Sequence, residues 1–235
     1  MRDRLLIVNA DDFGRSPGIN AGVARAHEQG IVTSASLMVR WPAAREAAAY
    51  ARRTASLGVG LHVDLAEWRH AASGWVQVYE RVDADRVEQE VRDQLELFRS
   101  VVGRDPTHLD SHQHVHREEP VRSVVAALSG ELGVPARELA PGVVYQGSFY
   151  GQTGSGDALP EAIAVAALVE LLASCGDGVT ELGCHPAAAA DFGSAYATER
   201  IAELDALCSH EARAAVLGQG IRLVSFRDVA GRVSA

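Results

Sequence analysis

The chain has 235 residues, 47% hydrophobic and 23% charged, and its 22 Lys and Arg against 31 Asp and Glu leave a net charge of −9 with His neutral. That balance excludes a nonspecific nucleic-acid binder, because neutralising phosphates needs a surplus of cations. No segment approaches the ~20 apolar residues that cross a bilayer, the first nine residues lack the apolar core of a signal peptide, and Cys175, Cys184 and Cys208 show no paired spacing, so a single domain, residues 1–235, in a reducing cytoplasm is expected.

Leu5-Leu6-Ile7-Val8 is a continuous apolar run, the pattern of a strand buried on both faces. Residues 18–29 then read as a helix closed by Gly30, with Ile19, Val23 and Ala26 on one face. A second strand is expected over 31–39, a helix over 42–56 with Pro42 in its first turn, and a third strand over 59–65. A loop carrying Gly74 and Trp75 leads into a long helix over 84–102. The fourth strand is expected over 107–115, the next helix over 121–132, and a weaker fifth strand over 143–149. Helix 160–174, strand 179–184, helix 198–217 and strand 221–226 complete the chain. This alternation predicts parallel βα units, hence a distorted seven-stranded (β/α) barrel of TIM-barrel type, with a doubly wound open sheet as the competing architecture.

The unusual residues collect at the carboxyl ends of these strands, where such folds build their sites. The first ends in Asn9-Ala10-Asp11-Asp12-Phe13-Gly14, and the third in Gly60-Leu61-His62-Val63-Asp64. The fourth ends in His108-Leu109-Asp110-Ser111-His112-Gln113-His114-Val115-His116, and the sixth in Glu181-Leu182-Gly183-Cys184-His185-Pro186. Taken singly, each has a bland explanation: an Asx turn before the first helix, a satisfied core histidine, a polar strand end. Together, a carboxylate and imidazoles on separate strand ends form a facial ligand set for a divalent metal. In an extended chain, His112, His114 and His116 would share one face, and one or two would reach the ion while another orients a ligand. One of the adjacent Asp11 and Asp12 carboxylates would bind the ion, and the other would accept a proton from the attacking water. His185 would protonate a leaving group or hold an oxyanion.

These four segments, together with Gly30-Ile31-Val32-Thr33-Ser34, Ser148-Phe149-Tyr150-Gly151 and Gly220-Ile221-Arg222-Leu223-Val224-Ser225-Phe226, resemble the YdjC-like carbohydrate deacetylases, collinearly from residue 4 to about residue 230. The resemblance implies a barrel related to the polysaccharide deacetylases and metal-dependent release of acetate from N-acetylated amino sugars. It implies Asp12, His62 and His112 as ligands of one divalent ion per chain, Asp11 as base, and His185 as the group supporting the leaving amine or oxyanion. His114, His116 and Asp110 remain alternative or supporting ligands, and both Zn²⁺ and Mg²⁺ stay open as the ion. Aromatic side chains in the loops, Trp75, Phe149 and Tyr150 first among them, are candidates for stacking on a sugar ring, and Trp68 and Tyr79 extend that set. Two other classes compete: a two-metal phosphoesterase drawing on Asp64 and Asp110, and a sugar- or metal-binding barrel without chemistry. A symmetric homodimer is the default assembly.

Overall fold

The first apolar run extends well past Val8. In the computed structural model, which describes residues 3–65, 68–71, 74–77 and 86–233, strand β1 (Arg4–Phe13) carries the chain through Asn9, Asp11 and Asp12, and every residue after Arg4 is buried. It is buried because it lies mid-sheet. Strand β2 (Ser34–Leu37) pairs along its second half and β8 (Gly178–Cys184) along its other edge, both parallel. Strand β9 (Arg222–Leu223) takes the edge left free beside Leu5 and Leu6. With β3 (Gly58–Val63), β6 (Leu109–Ser111) and β7 (Val143–Gln146), these make one seven-stranded sheet in the order β6-β3-β2-β1-β8-β7, with β9 beside β1 and each of these pairs parallel. Among the described residues no ladder joins β6 to β7, so the sheet is a half-barrel with open ends rather than a closed barrel. Strands β4 (Trp68–Ala71) and β5 (Gly74–Gln77) form a separate antiparallel hairpin where a loop is expected from the sequence.

Helices α1 (Pro17–Gln29), α2 (Ala44–Arg53), α3 (Val87–Val102) and α4 (Val121–Leu132) fall within a few residues of their expected spans. Ser16 fixes the start of α1: its hydroxyl accepts from the Ile19 amide at 3.1 Å, and Pro17 occupies a position with no amide to satisfy. The segment 160–174 divides into a 3₁₀ turn (Pro160–Ile163) and α5 (Val165–Ser174). Helix 198–217 is likewise two helices, α6 (Ala197–Leu207) and α7 (His210–Gly218), because the Ser209 side chain caps a new start by accepting from the Ala212 amide. The last strand is cut short by α8 (Phe226–Val233). None of the described helices is long and apolar enough to cross a membrane.

The largest departure is at the fourth strand. Strand β6 stops at Ser111, and residues 112–117 form a 3₁₀ turn in which Gln113 and His114 both take left-handed backbone conformations, φ 53 each. The expected two-residue alternation therefore ends before it reaches the histidines. His112, His114 and His116 do not share a face.

Below the site, the fully buried His108 ring fills the space that Gly60 leaves, where an added Cβ would lie 2.5 Å from the ring. It stacks on Phe226 at 3.9 Å and bonds to Ser36 Oγ at 2.9 Å and Thr107 Oγ1 at 3.0 Å. Burial pushes this imidazole down to about 4, and burial likewise lowers His116, to about 4. A group depressed in this way stabilises the fold fully above its unfolded value, and that stability is lost as pH falls from ~6.5 toward 4. At pH 5, His108 alone accounts for about 2 kcal/mol. Calorimetry should show a melting temperature about 5 °C lower at pH 5 than at pH 7, with part of that drop absent in His108→Gln.

Candidate metal and hydrolytic site

Neighbouring residues on a strand point to opposite faces, yet Asp11 and Asp12 both line the same cleft. The pairing of β1 with β2 slips between Ala10 and Phe13, and Asp12 takes φ 63, a left-handed conformation that Asp tolerates better than most residues. That local turn brings both carboxylates to the carboxyl end of the sheet. The register then adds their partners. His62 on β3 lies opposite Asp110 on β6, and β8 delivers His185 one residue beyond Cys184, which pairs with Ala10.

The three ligand atoms offered by Asp12, His62 and His112 all lie within 4.8 Å of one another. Asp12 Oδ1 is 3.1 Å from His112 Nδ1 and 3.5 Å from His62 Nε2, yet it is buried with no hydrogen bond of acceptable geometry. An orphaned carboxylate oxygen facing two ring nitrogens is a poor hydrogen-bond cluster and a good cation cradle. His62 Nδ1 bonds to Asp110 Oδ1 at 2.8 Å, the buttress typical of a metal-ligating imidazole, and turns Nε2 toward Asp12. Burial pushes the His62 pKa down, but the Asp110 carboxylate outweighs it and raises the ring to about 10. A ring ligating through Nε2 must give up that added proton, so metal binding and protonation of His62 compete. Burial likewise pushes Asp12 up, and the Arg200 guanidinium, followed by His112, holds it well below the usual carboxylate range. Arg200 pairs with Asp12 Oδ2, and Arg15 stands 3.8 Å away on the same oxygen.

Asp11 is held differently. The fully buried Arg137 forks onto it, Nη1 donating to Oδ2 and Nη2 to Oδ1, each at 2.7 Å, and Asn9 Nδ2 donates to Oδ1 at 2.8 Å. The same guanidinium meets Asp110 Oδ2 at 3.0 Å and donates through Nε to Glu181 Oε1 at 2.6 Å. Burial alone would raise Asp11, but Arg137 overrides it and keeps the carboxyl below its ordinary value, so Asp11 is ionised at neutral pH. One cation cannot serve three buried carboxylates equally. Glu181 bears the deficit, raised by burial to about 7 against the pull of Arg137.

His185 Nε2 lies 3.8 Å from Asp11 Oδ2. Behind it, Glu203 is fully buried, accepts from the His185 backbone amide and from the Tyr196 hydroxyl, and places Oε1 3.7 Å from His185 Nδ1. Tyr150 and Tyr196 stack at 4.4 Å with planes 9° apart, and both rings meet His185 edge-on. The cleft above these groups measures about 1160 Å³, and its wall also includes Trp41, Tyr145 and Phe192.

The structure thus gathers Asp11, Asp12, His62, His112 and His185 on one cleft, with Tyr150 on its wall. Asp110 lies beneath it, occupied by His62, Ser36 and Arg137. His116 turns away from the cleft, and His114, though on its wall, faces Glu138 rather than Asp12. Phe149 is not at the wall: it is fully buried in the core, one residue before the Tyr150 that faces the cleft. The side chains of Trp68, Trp75 and Tyr79 lie outside the described residues. Arg137, Arg200, Glu203 and Tyr196 carry no motif and were not expected at the site. A faint signal existed for Arg137. It ends the short apolar run Val134-Pro135-Ala136, and Ala136 bridges Leu109 in parallel, so Arg137 too stands at the carboxyl end of a rudimentary strand.

A family model described as YdjC-like protein matches residues 5–217. The chain is 36% identical over 251 residues to a chitooligosaccharide deacetylase of Klebsiella pneumoniae (strain 342), covering 97% of this chain and 100% of that one. It is also 36% identical over 249 residues to a carbohydrate deacetylase of Geobacillus stearothermophilus, covering 96% and 98% respectively. Among solved structures, a protein of Enterococcus faecalis V583 superposes with a TM-score of 0.77 at 27% identity, over 97% of this chain and 99% of the other. A family 4 carbohydrate esterase of Streptomyces lividans, solved with acetate, shares the fold at a TM-score of 0.54 and 13% identity, over 94% of this chain and 92% of the other.

Proposed function

Because the chain belongs to the YdjC-like protein family, we propose that it is a metal-dependent hydrolase that removes the acetyl group from an N-acetylated amino sugar. The observation that carries this reading is the meeting, on one cleft, of an Asp12–His62–His112 cradle, an Asp11 kept ionised by Arg137, and His185. Relatives named chitooligosaccharide and carbohydrate deacetylases support the substrate class. Two imidazoles and one carboxylate suit Zn²⁺ better than Mg²⁺, and such an ion supplies a Lewis acid for the acetyl carbonyl and acidifies a water.

The chain's own residues supply the rest. Asp11, fixed by Arg137 and Asn9, takes the proton of the attacking water. His185, backed by Glu203, gives a proton to the departing amine nitrogen, so the C–N bond breaks to acetate and a free amine. The stacked Tyr150 and Tyr196 offer an aromatic wall against which the apolar face of a sugar ring can lie. A two-ion phosphoesterase gains no support from this geometry. Asp110, its natural bridging ligand, is already consumed by His62, Ser36 and Arg137.

The test is acetate release from a panel of N-acetylated mono- and oligosaccharides. Release by the metal-loaded protein that stops on chelation and returns with Zn²⁺ is the expected result. A protein that loads one ion yet releases acetate from none of them would overturn the substrate class.

A further inference from the structure

The kink that separates His112 from its neighbours builds a second cluster. His114, His116 and Glu138 each offer one ligand atom, and all three atoms lie within 4.8 Å of one another. His114 Nδ1 is 3.8 Å and His116 Nε2 is 3.6 Å from the same Glu138 oxygen, Oε2. His116 is fully buried, and its Nε2, like His114 Nδ1, has no hydrogen-bond partner. A buried ring nitrogen left unpaired is unfavourable unless something takes its lone pair. The other side of the His116 ring is fixed: Nδ1 lies 2.6 Å from Ser111 Oγ, a hydroxyl that also accepts from the His116 backbone amide at 3.0 Å. With Nδ1–H donating to Ser111, Nε2 presents its lone pair toward Glu138, the arrangement in which ligating imidazoles are normally held. Arg117 forks onto Glu138 from the solvent side at 2.7 and 3.0 Å and so holds the carboxylate in place.

We propose that His114, His116 and Glu138 form a second metal site, distinct from the Asp12–His62–His112 cradle, that takes a borderline divalent transition ion of the Zn²⁺ type. Two imidazole nitrogens and one carboxylate oxygen are the donors such ions prefer, whereas Mg²⁺ and Ca²⁺ demand oxygen. In a tetrahedral Zn²⁺ site, ligand atoms stand about 3.3 Å apart, so the observed 3.6 and 3.8 Å separations need only a slight closure. The two cradles share no ligand, which sets this arrangement apart from a bridged two-ion centre. Both His114 and Glu138 line the cleft. An ion there would keep an open position facing the space a substrate occupies.

The experiment counts ions. Metal-free protein is loaded with Zn²⁺, freed of excess by gel filtration and analysed for metal per chain, with the visible spectrum of the Co²⁺ form as a second readout. Wild type, His114→Gln, Glu138→Gln and His62→Ala are compared; the first two variants alter partly exposed side chains and should fold. Two ions in wild type and one in each variant is the expected result, with the Co²⁺ spectrum of His62→Ala reporting the second site alone. A single ion in wild type that His62→Ala removes would overturn the proposal, as would two ions retained in both His114→Gln and Glu138→Gln. A single ion lost in His114→Gln but kept in His62→Ala would support this site and contradict the first one.

Discussion

Asp11→Asn is expected to lower kcat by about 10³-fold, in the range a general base contributes, while the metal content stays unchanged. The separation follows from the geometry. Asp11 touches Arg137 and Asn9, whereas the proposed ion cradle is Asp12, His62 and His112. Asparagine keeps the shape of the side chain but cannot take a proton from water, and it places an amide against the guanidinium where a carboxylate oxygen stood. Arg137 would still be held by Asp110 and Glu181, so the variant should fold with a modest loss of stability. Steady-state kinetics with metal analysis on the same preparation checks both halves. A loss of the ion together with the activity would show that Asp11, not Asp12, is the ligand.

Arg137→Ala should damage the fold itself. The guanidinium is wholly buried and is the common partner of Asp11, Asp110 and Glu181. Its removal leaves three buried carboxylates without their cation, and breaking a buried pair in this way costs about 3–5 kcal/mol. For a chain of this length, that is a fall of roughly 10 °C in melting temperature. A second consequence separates this from simple loss of packing. Without Arg137, burial and the neighbouring Asp110 carboxylate outweigh the weaker pull of His62 on Asp11, its pKa rises, and the acid limb of the pH–activity profile should move to higher pH. Arg137→Lys restores the charge but not the planar fork, so it should recover stability better than activity. An Arg137→Ala protein with unchanged melting temperature and unchanged acid limb would remove Arg137 from the account.

The strand rhythm was legible because parallel strands buried on both faces are continuous apolar runs, and these stand out against Ala-rich helices. Six strands of the main sheet lie at or inside the segments expected from the sequence, apart from small shifts at their ends, while β1 runs on past the expected Val8 to Phe13. The openness of the sheet was not legible, since closure depends on whether β6 and β7 meet, and the outer edge of β6 is instead bridged at Leu109 by Ala136. Nor was the break after Ser111. His-Gln-His-Val-His reads as a strand by alternation, and only the left-handed conformations of Gln113 and His114 send the histidines to two different cradles. Asp11, Asp12, His62 and His185 were visible because a polar residue at the end of an apolar run is conspicuous. Glu203 and Arg200 were not, because they sit on α6, where Glu and Arg at helical spacing ordinarily mark a solvated face. Here that face is turned inward, and both side chains are buried against His185 and Asp12.

The most direct test of the hydrolytic centre is an anomalous difference map from crystals of the Zn²⁺-loaded protein, together with acetate release by the same preparation. Zinc within bonding distance of Asp12 Oδ1, His62 Nε2 and His112 Nδ1, in protein that releases acetate, is the predicted result. Acetate release from protein with no ion at those three atoms would contradict the account.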